Sequence, residues 1–262
     1  MSDAMTFTYQ SRLPLDERQQ KIFLKCAFLF NHIEHSLYAE IAKGKTSAAC
    51  KNDFLKKYGI TARQFNACRI SLEGKIAACK ASANLAAESL RGQIALVETQ
   101  IQRLEKKPSK HLILHQKQRR KEHLIKRLSC IEEDLKKRCP RLCFGGNKLF
   151  RAQFYLEQNG FSSHQEWKEA WTFKRNSEFF ILGSKDEKAG NQTCTAIVQE
   201  DGRFSLRLRL PDALTKEFGN KYVEIENVSF KYGKEAILAR TLWFKYSSCS
   251  CTLHCKTTSK IF

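Results

Sequence analysis

From about Ala62 to Lys106 apolar residues return at helical intervals, with only Gly74 and Gly92 as weak points, and one helix of that span extends roughly 65 Å at 1.5 Å per residue. An element that long needs a partner along its length. Ile94, Val97, Ile101 and Leu104 repeat at three-four spacing in its second half. Leu124, Leu128, Ile131 and Leu135 repeat at four-three-four spacing beyond Lys107-Pro108-Ser109. Two such stripes suit one another, so an antiparallel helical hairpin is expected.

Charge says what the hairpin meets. Lys and Arg number 46 against 27 Asp and Glu, a formal charge of +19 in 262 residues, and an excess of that size repels itself unless a polyanion neutralises it. Residues 91–151 concentrate the effect, with 17 basic and 6 acidic side chains. Lys117, Arg119, Arg120, Lys121, Lys126, Arg127, Lys136, Lys137 and Arg138 fall on the exposed faces expected of the hairpin. A solvated charged surface is the plain alternative; the scarcity of acidic neighbours favours contact with phosphate. No apolar run approaches the roughly 20 residues that span a bilayer, and no secretory signal is read at the start, so a cytoplasmic protein without a membrane partner is expected. The 11 cysteines are read as mostly reduced, with Cys26, Cys68 and Cys79 as small hydrophobes among apolar neighbours.

Around the hairpin the pattern changes twice. Residues 5–13 alternate about Phe7, Tyr9 and Leu13 as a half-buried strand does, and Pro14 ends them. Asp16 and Gln19 form a capping box before a helix whose apolar face is Ile22, Cys26, Leu29, Phe30, Ile33, Leu37 and Ile41, ending at Gly44. A short helix over Asp53–Tyr58 follows, and Thr61 with Gln64 caps the long one. After Pro140, short runs rich in Phe, Ile, Val and Leu predict strands over 177–182, 192–199, 203–210, 221–230 and 235–242, separated by turn residues such as Asp201-Gly202 and Gly219-Asn220. Five strands so spaced, with 5–13 as a sixth, suggest a small antiparallel barrel. The fold expected is α+β. Its divisions are a first barrel strand in 1–14, a helical domain over 15–140, the rest of the barrel over 141–242 and an aberrant or disordered tail over 243–262.

Three motifs in order carry a resemblance. Cys143-Phe144-Gly145-Gly146-Asn147-Lys148-Leu149-Phe150-Arg151-Ala152-Gln153-Phe154 comes first. Gly183-Ser184-Lys185-Asp186-Glu187-Lys188-Ala189-Gly190-Asn191-Gln192-Thr193-Cys194 follows, and then Leu206-Arg207-Leu208-Arg209-Leu210-Pro211. Together with the preceding hairpin, over roughly residues 5–240, they resemble the TnpB or OrfB family of insertion-sequence proteins, relatives of type V CRISPR nucleases. The resemblance implies a wedge-like β-barrel interrupted by a helical recognition lobe, which hold a guide RNA and its heteroduplex with DNA, followed by a RuvC-like nuclease with a zinc ribbon. Base pairing then reads most of the target sequence. The last acidic residue is Glu235, and metal-dependent phosphodiester cleavage needs convergent carboxylates. The nuclease domain is therefore expected to be absent, with no catalytic residue, no cofactor, no metal and no small-molecule substrate.

Single sites follow from charge and turn chemistry. Gly145-Gly146-Asn147-Lys148 reads either as a backbone nest for phosphate, with Lys148 and Arg151 beside it, or as a plain tight turn into a helix. Lys185 is a candidate contact, and Asp186-Glu187 are read as solvated. Alternation puts Arg207 and Arg209 on one strand face and Leu206, Leu208 and Leu210 on the other. Trp167, Trp171 and Phe173 with Lys174 and Arg175 suit base stacking, although two tryptophans four apart on a helix more often make a core contact. Cys249, Cys251, His254 and Cys255 lack the paired knuckles of a zinc ribbon, and the tail is read as translated out of frame or as a disordered remnant.

The expected function is guide-type RNA and DNA binding by the front part of a TnpB-like nuclease, inert on its own. The alternatives are a nuclease-free regulator that binds guide RNA, a coiled-coil interaction protein, and an enzyme completed by a partner chain's carboxylates.

Overall fold

In a computed structural model, which describes residues 10–106, 108–182, 192–235, 237 and 251–254, the chain is α+β and divides into two compact units. One unit takes the residues up to Leu37, Thr46–Ser71 and those from Phe144 onward; the other takes Tyr38–Lys45 and Leu72–Cys143. The stretch expected as a single helical domain over 15–140 is thus shared between them.

The first unit starts with α1 (Glu17–Ala42), whose capping box forms as its residues predict: Asp16 N–H donates to Gln19 Oε1 at 3.0 Å and Gln19 N–H to Asp16 Oδ1 at 2.7 Å. Ile22, Phe23, Cys26, Phe30, Ile33 and Leu37 are buried along one stripe of α1. Helix α2 (Ser47–Tyr58) begins six residues before the expected Asp53, because Thr46 Oγ1 accepts from Ala49 N–H and fixes the first turn there. Gly59 ends it at φ 56°, and its carbonyl accepts from Ala213 N–H at 3.1 Å. A Cβ at Gly59 would lie 3.1–3.2 Å from Ala213, so the close approach requires glycine. Helix α3 (Ala62–Glu105) opens with the reciprocal Thr61–Gln64 bonds, and buried Gln64 also donates to the Arg209 carbonyl.

The strands form open sheets. β2 (Cys194–Val198), β3 (Phe204–Arg209) and β4 (Tyr222–Val228) pair antiparallel in the order β2-β3-β4, with Cys194 opposite Leu208 and Leu208 opposite Val223. Phe204, Leu208, Val223, Ile225 and Val228 fill one face. The register shifts between Phe204 and Leu206. α7 (Asp212–Phe218), between Pro211 and Gly219, carries the chain from β3 to β4.

β1 (Glu178–Ile181) pairs instead with β5 (Cys251–His254), Phe179 opposite Leu253. On the α1 side the Phe179 ring lies 5.4 Å from Phe30 and 6.0 Å from Phe23, and the Asn31 amide donates to the Glu178 carbonyl at 2.6 Å.

One expectation changes here. Among the described residues the sheets do not close into a barrel, since β1 and β2–β4 lie in separate ladders. Within the tail expected to be aberrant or disordered, Cys251–His254 pair as a strand with β1, which offers a backbone edge whose polar groups need partners. The strand expected over 235–242 lies mostly outside the described residues; at its described start Ile237 N–H donates to the Gly233 carbonyl at 3.0 Å. The strand expected over 5–13 lies mostly outside the described residues. Its described end is irregular, with the Ser11 hydroxyl donating to the Ser229 carbonyl.

The second unit is the hairpin. α3 runs through Gly74 and Gly92 without a break, a short 3-10 turn over Pro108–Lys110 reverses the chain, and α4 (His111–Lys136) returns. Leu90, Val97, Ile101 and Leu124 are buried between the helices, flanked by Ile94, Leu114, Leu128 and Ile131. Two ion pairs fix the antiparallel register, Arg91–Glu132 at 2.6 Å and Lys121–Glu98 at 2.8 Å. At the other end of the hairpin Tyr38 donates to the Pro140 carbonyl and Arg138 to the Gly44 carbonyl. Among the described residues no helix is long and apolar enough to cross a membrane.

Candidate nucleic-acid interface

Helix α4 sorts its own charges. Leu114, Lys117, Lys121, Leu124, Leu128, Ile131 and Leu135 alternate at three and four residues and so share the face turned to α3. Lys117 and Lys121 are accordingly half-buried, and the Lys121 ammonium is held by Glu98, which corrects the expectation that both lie on the exposed face. Arg119, Arg120 and Arg127 are exposed and have no ion pair among the described residues. Arg120 and Arg127 are two turns apart and lie above one another; Arg119 sits further round the helix. A guanidinium in water with no carboxylate beside it keeps all five donors for phosphate. Lys137 and Arg141 behave differently, since together they hold the Asp134 carboxyl below its ordinary range at 2.9 Å and 2.5 Å.

Beyond the hairpin, Gly145 and Gly146 take φ values of 91° and 93° and lead into α5 (Asn147–Ala152). This is the tight-turn alternative, and packing explains it: a Cβ on Gly145 would stand 2.7 Å from Arg175 Cγ and 3.2 Å from the Trp171 ring. Helix α6 (His164–Arg175) supplies both, capped by Ser163 Oγ, which accepts from Glu166 N–H. The Ser162 hydroxyl and backbone N–H both donate to the Glu166 carboxylate and hold its pKa below the ordinary value. Trp167 and Trp171 stack at 5.9 Å, Trp167 Nε1 donates to the Leu149 carbonyl, and Phe150 lies 5.4 Å from Trp171. These are contacts among half-buried rings, with Phe150 42% exposed at their edge. Arg175 is drawn into them: half-buried, it donates to His35 Nδ1 at 3.0 Å, and its Nε is enclosed. Its charge is thus committed inside the unit, whereas Lys174 stays exposed with Glu178 3.7 Å away.

Lys148 and Arg151 are exposed on α5 and have no ion pair among the described residues. They line an open depression of about 440 Å³ with Asn147, Ala152, Tyr155 and Asn159. Beside it the Phe154 and Tyr155 side chains are 67% and 62% exposed, a wet position for two large rings. Tyr155 and Asn159 were not singled out from the sequence. The signal was there, in aromatic and basic residues interleaved from Lys148 to Tyr155 with no apolar repeat to bury the rings.

On β3 the expected division holds, with Leu208 and Leu210 buried, Leu206 half-buried, and Arg207 and Arg209 on the other side. Arg207 lies 4.0 Å over the Tyr222 ring and 3.7 Å from Glu224, while half-buried Arg209 reaches Asp212 at 3.4 Å. Lys185 lies outside the described residues, as do the side chains of Cys249, Cys251, His254 and Cys255. Among the described residues no group of three or more His, Cys, Asp or Glu is placed to hold a metal ion. The exposed arginines can neutralise phosphates, and the rings beside Lys148 and Arg151 can stack on bases. Comparison with protein-family models, curated proteins and solved structures found no match.

Proposed function

We propose that this chain is a nucleic-acid-binding portion of a TnpB-like RNA-guided DNA endonuclease, in which the hairpin and the strand-bearing unit hold guide-type RNA and its pairing with DNA. In this reading the hairpin is the recognition lobe, and the ladders β2-β3-β4 and β1-β5 belong to a wedge-like β-barrel. Binding, rather than cleavage, is the role proposed for these residues. One observation carries the reading: Arg119, Arg120 and Arg127, together with Lys126 and Lys136, stand exposed on α4 without an ion pair among the described residues, while Lys117 and Lys121 are seated in the seam. The three-motif resemblance supplies the kind of nucleic acid.

The test is binding of RNA transcribed from the gene's own downstream flank, with unrelated RNA as control, across a salt series. Replacing all three arginines by Ala is expected to lower affinity and flatten the salt dependence by about 2–3 in log–log slope, since each phosphate contact contributes roughly 0.7–0.9. An unchanged slope refutes the assignment. Incubating the chain with magnesium, guide RNA and target DNA checks the second half of the proposal, and cleavage would overturn it.

A second reading, an interaction protein built on the hairpin, is favoured by Leu85 and Leu96, which are 68% and 66% exposed on one face of α3. It requires an oligomer that persists in high salt and is lost in Leu85→Asp/Leu96→Asp, as measured by sedimentation equilibrium.

A further inference from the structure

The depression at the end of α5 combines four properties that a charged surface alone does not need. Its volume of about 440 Å³ falls in the range of small-ligand clefts, roughly 300–1,000 Å³. Lys148 and Arg151 stand on one rim with no ion pair among the described residues. Tyr155, 62% exposed, contributes a ring that lacks an aromatic partner among the described residues. The Asn159 Nδ2 donates to the Tyr155 carbonyl at 2.7 Å, and this fixes the amide so that Oδ1 remains to accept from a ligand.

We propose that this depression seats one unpaired nucleotide of a single strand, with Tyr155 stacked on the base, Asn159 Oδ1 facing a base N–H, and Lys148 and Arg151 on the flanking phosphates. The inference rests on the nucleic-acid reading above and deepens it, since it names the state of the bound strand. A paired base has its faces covered by its neighbours in the duplex and its hydrogen-bonding edge occupied, so an exposed ring beside two cations selects a strand with open bases. Phe154, 67% exposed on the next residue, extends the platform for a neighbouring base.

The experiment uses the whole chain and fluorescence anisotropy with three labelled probes: a short single-stranded oligo(U) RNA, its oligo(dT) counterpart and a blunt duplex. Tyr155→Ala is expected to weaken single-strand binding by roughly 10-fold or more while duplex affinity stays within about twofold, and Tyr155→Phe is expected to retain wild-type affinity. Lys148→Ala/Arg151→Ala is expected to flatten the single-strand salt slope by about 1.4. The RNA and DNA arms show which strand the site takes. Loss of duplex and single-strand binding in equal measure on Tyr155→Ala, or no loss of either, overturns the site. If single-strand affinity survives Tyr155→Ala but falls on replacing Arg119, Arg120 and Arg127, this site is refuted while the binding function stands. If the wild-type chain binds none of the probes, both fall together.

Discussion

Gly145 and Gly146 offer a controlled comparison, because their φ values differ by only 2° while their surroundings differ completely. A Cβ at Gly146 meets nothing within 4 Å, so Gly146→Ala carries only the backbone strain of its φ 93° and ψ 137°, about 1–3 kcal/mol. At Gly145 the strain of a positive φ is joined by a methyl 2.7 Å from Arg175 Cγ and 3.2 Å from the Trp171 ring. The Cγ is close to the Arg175 backbone and cannot simply swing aside, and moving the side chain loosens the bond to His35 Nδ1. Overpacking of this kind costs about 1–3 kcal/mol, so with a strain of about 1–3 kcal/mol Gly145→Ala should destabilise by about 2–6 kcal/mol in all. Urea unfolding read by tryptophan fluorescence, in a Trp243→Phe background that leaves Trp167 and Trp171 as reporters, measures both variants. With a slope of about 2 kcal/mol per molar urea, the midpoints should separate by about 1 M. Coincident midpoints would mean that Trp171 and Arg175 do not lie against Gly145, and the core role given to Arg175 would go with them.

Leu124→Ala should destabilise the hairpin by about 2–3 kcal/mol, the lower part of the range for buried leucines because its neighbours Leu114, Leu128 and Ile131 are only half-buried. Ile125→Ala, 44% exposed one residue on, should stay within about 0.5 kcal/mol, and hydrogen exchange along α4 compares the two. Ser163→Ala removes the acceptor that caps α6 and should lower stability by about 0.5–2 kcal/mol in thermal melts, with Ser163→Asp close to wild type. Lys45 and then Lys43 hold the Glu40 carboxyl at about 2, below its ordinary 4.5. A depressed folded value means that the stabilisation is complete above the unfolded value and is lost as pH falls from there towards 2. Carboxyl carbon NMR should show that low midpoint, and Lys45→Ala should raise it; a midpoint near 4.5 in the wild type would contradict the ion pairs.

What the residues announce in advance is mostly what they do within four positions of themselves. The boxes Asp16–Gln19 and Thr61–Gln64 close over three residues, so their bonds follow from spacing alone. The seam of the hairpin follows from its apolar repeat, yet Lys117 and Lys121 occupy the same repeat and were assigned outward because their charge outweighed their position. Arg175 and Arg209 show the same limit. Residue type suggested phosphate, while folding brings distant His35 to Arg175, and Asp212, only three residues on, lies 3.4 Å from Arg209. Sheet order was least legible, because β1 pairs with a strand 70 residues away and no local signal encodes a partner at that distance.

The Phe23–Phe179 contact, described above as packing, also sets a clock during synthesis. Phe179 leaves the ribosome 156 residues after Phe23, a wait of roughly 8–30 s at about 5–20 residues per second. Over that interval the Phe23 and Phe30 rings lack the side chain they will finally enclose, whereas Arg91 needs only 41 more residues to meet Glu132. The nascent chain therefore has every residue of its basic hairpin before the residue that completes the aromatic pocket, and until Phe179 emerges the apolar rings of that pocket stay without it.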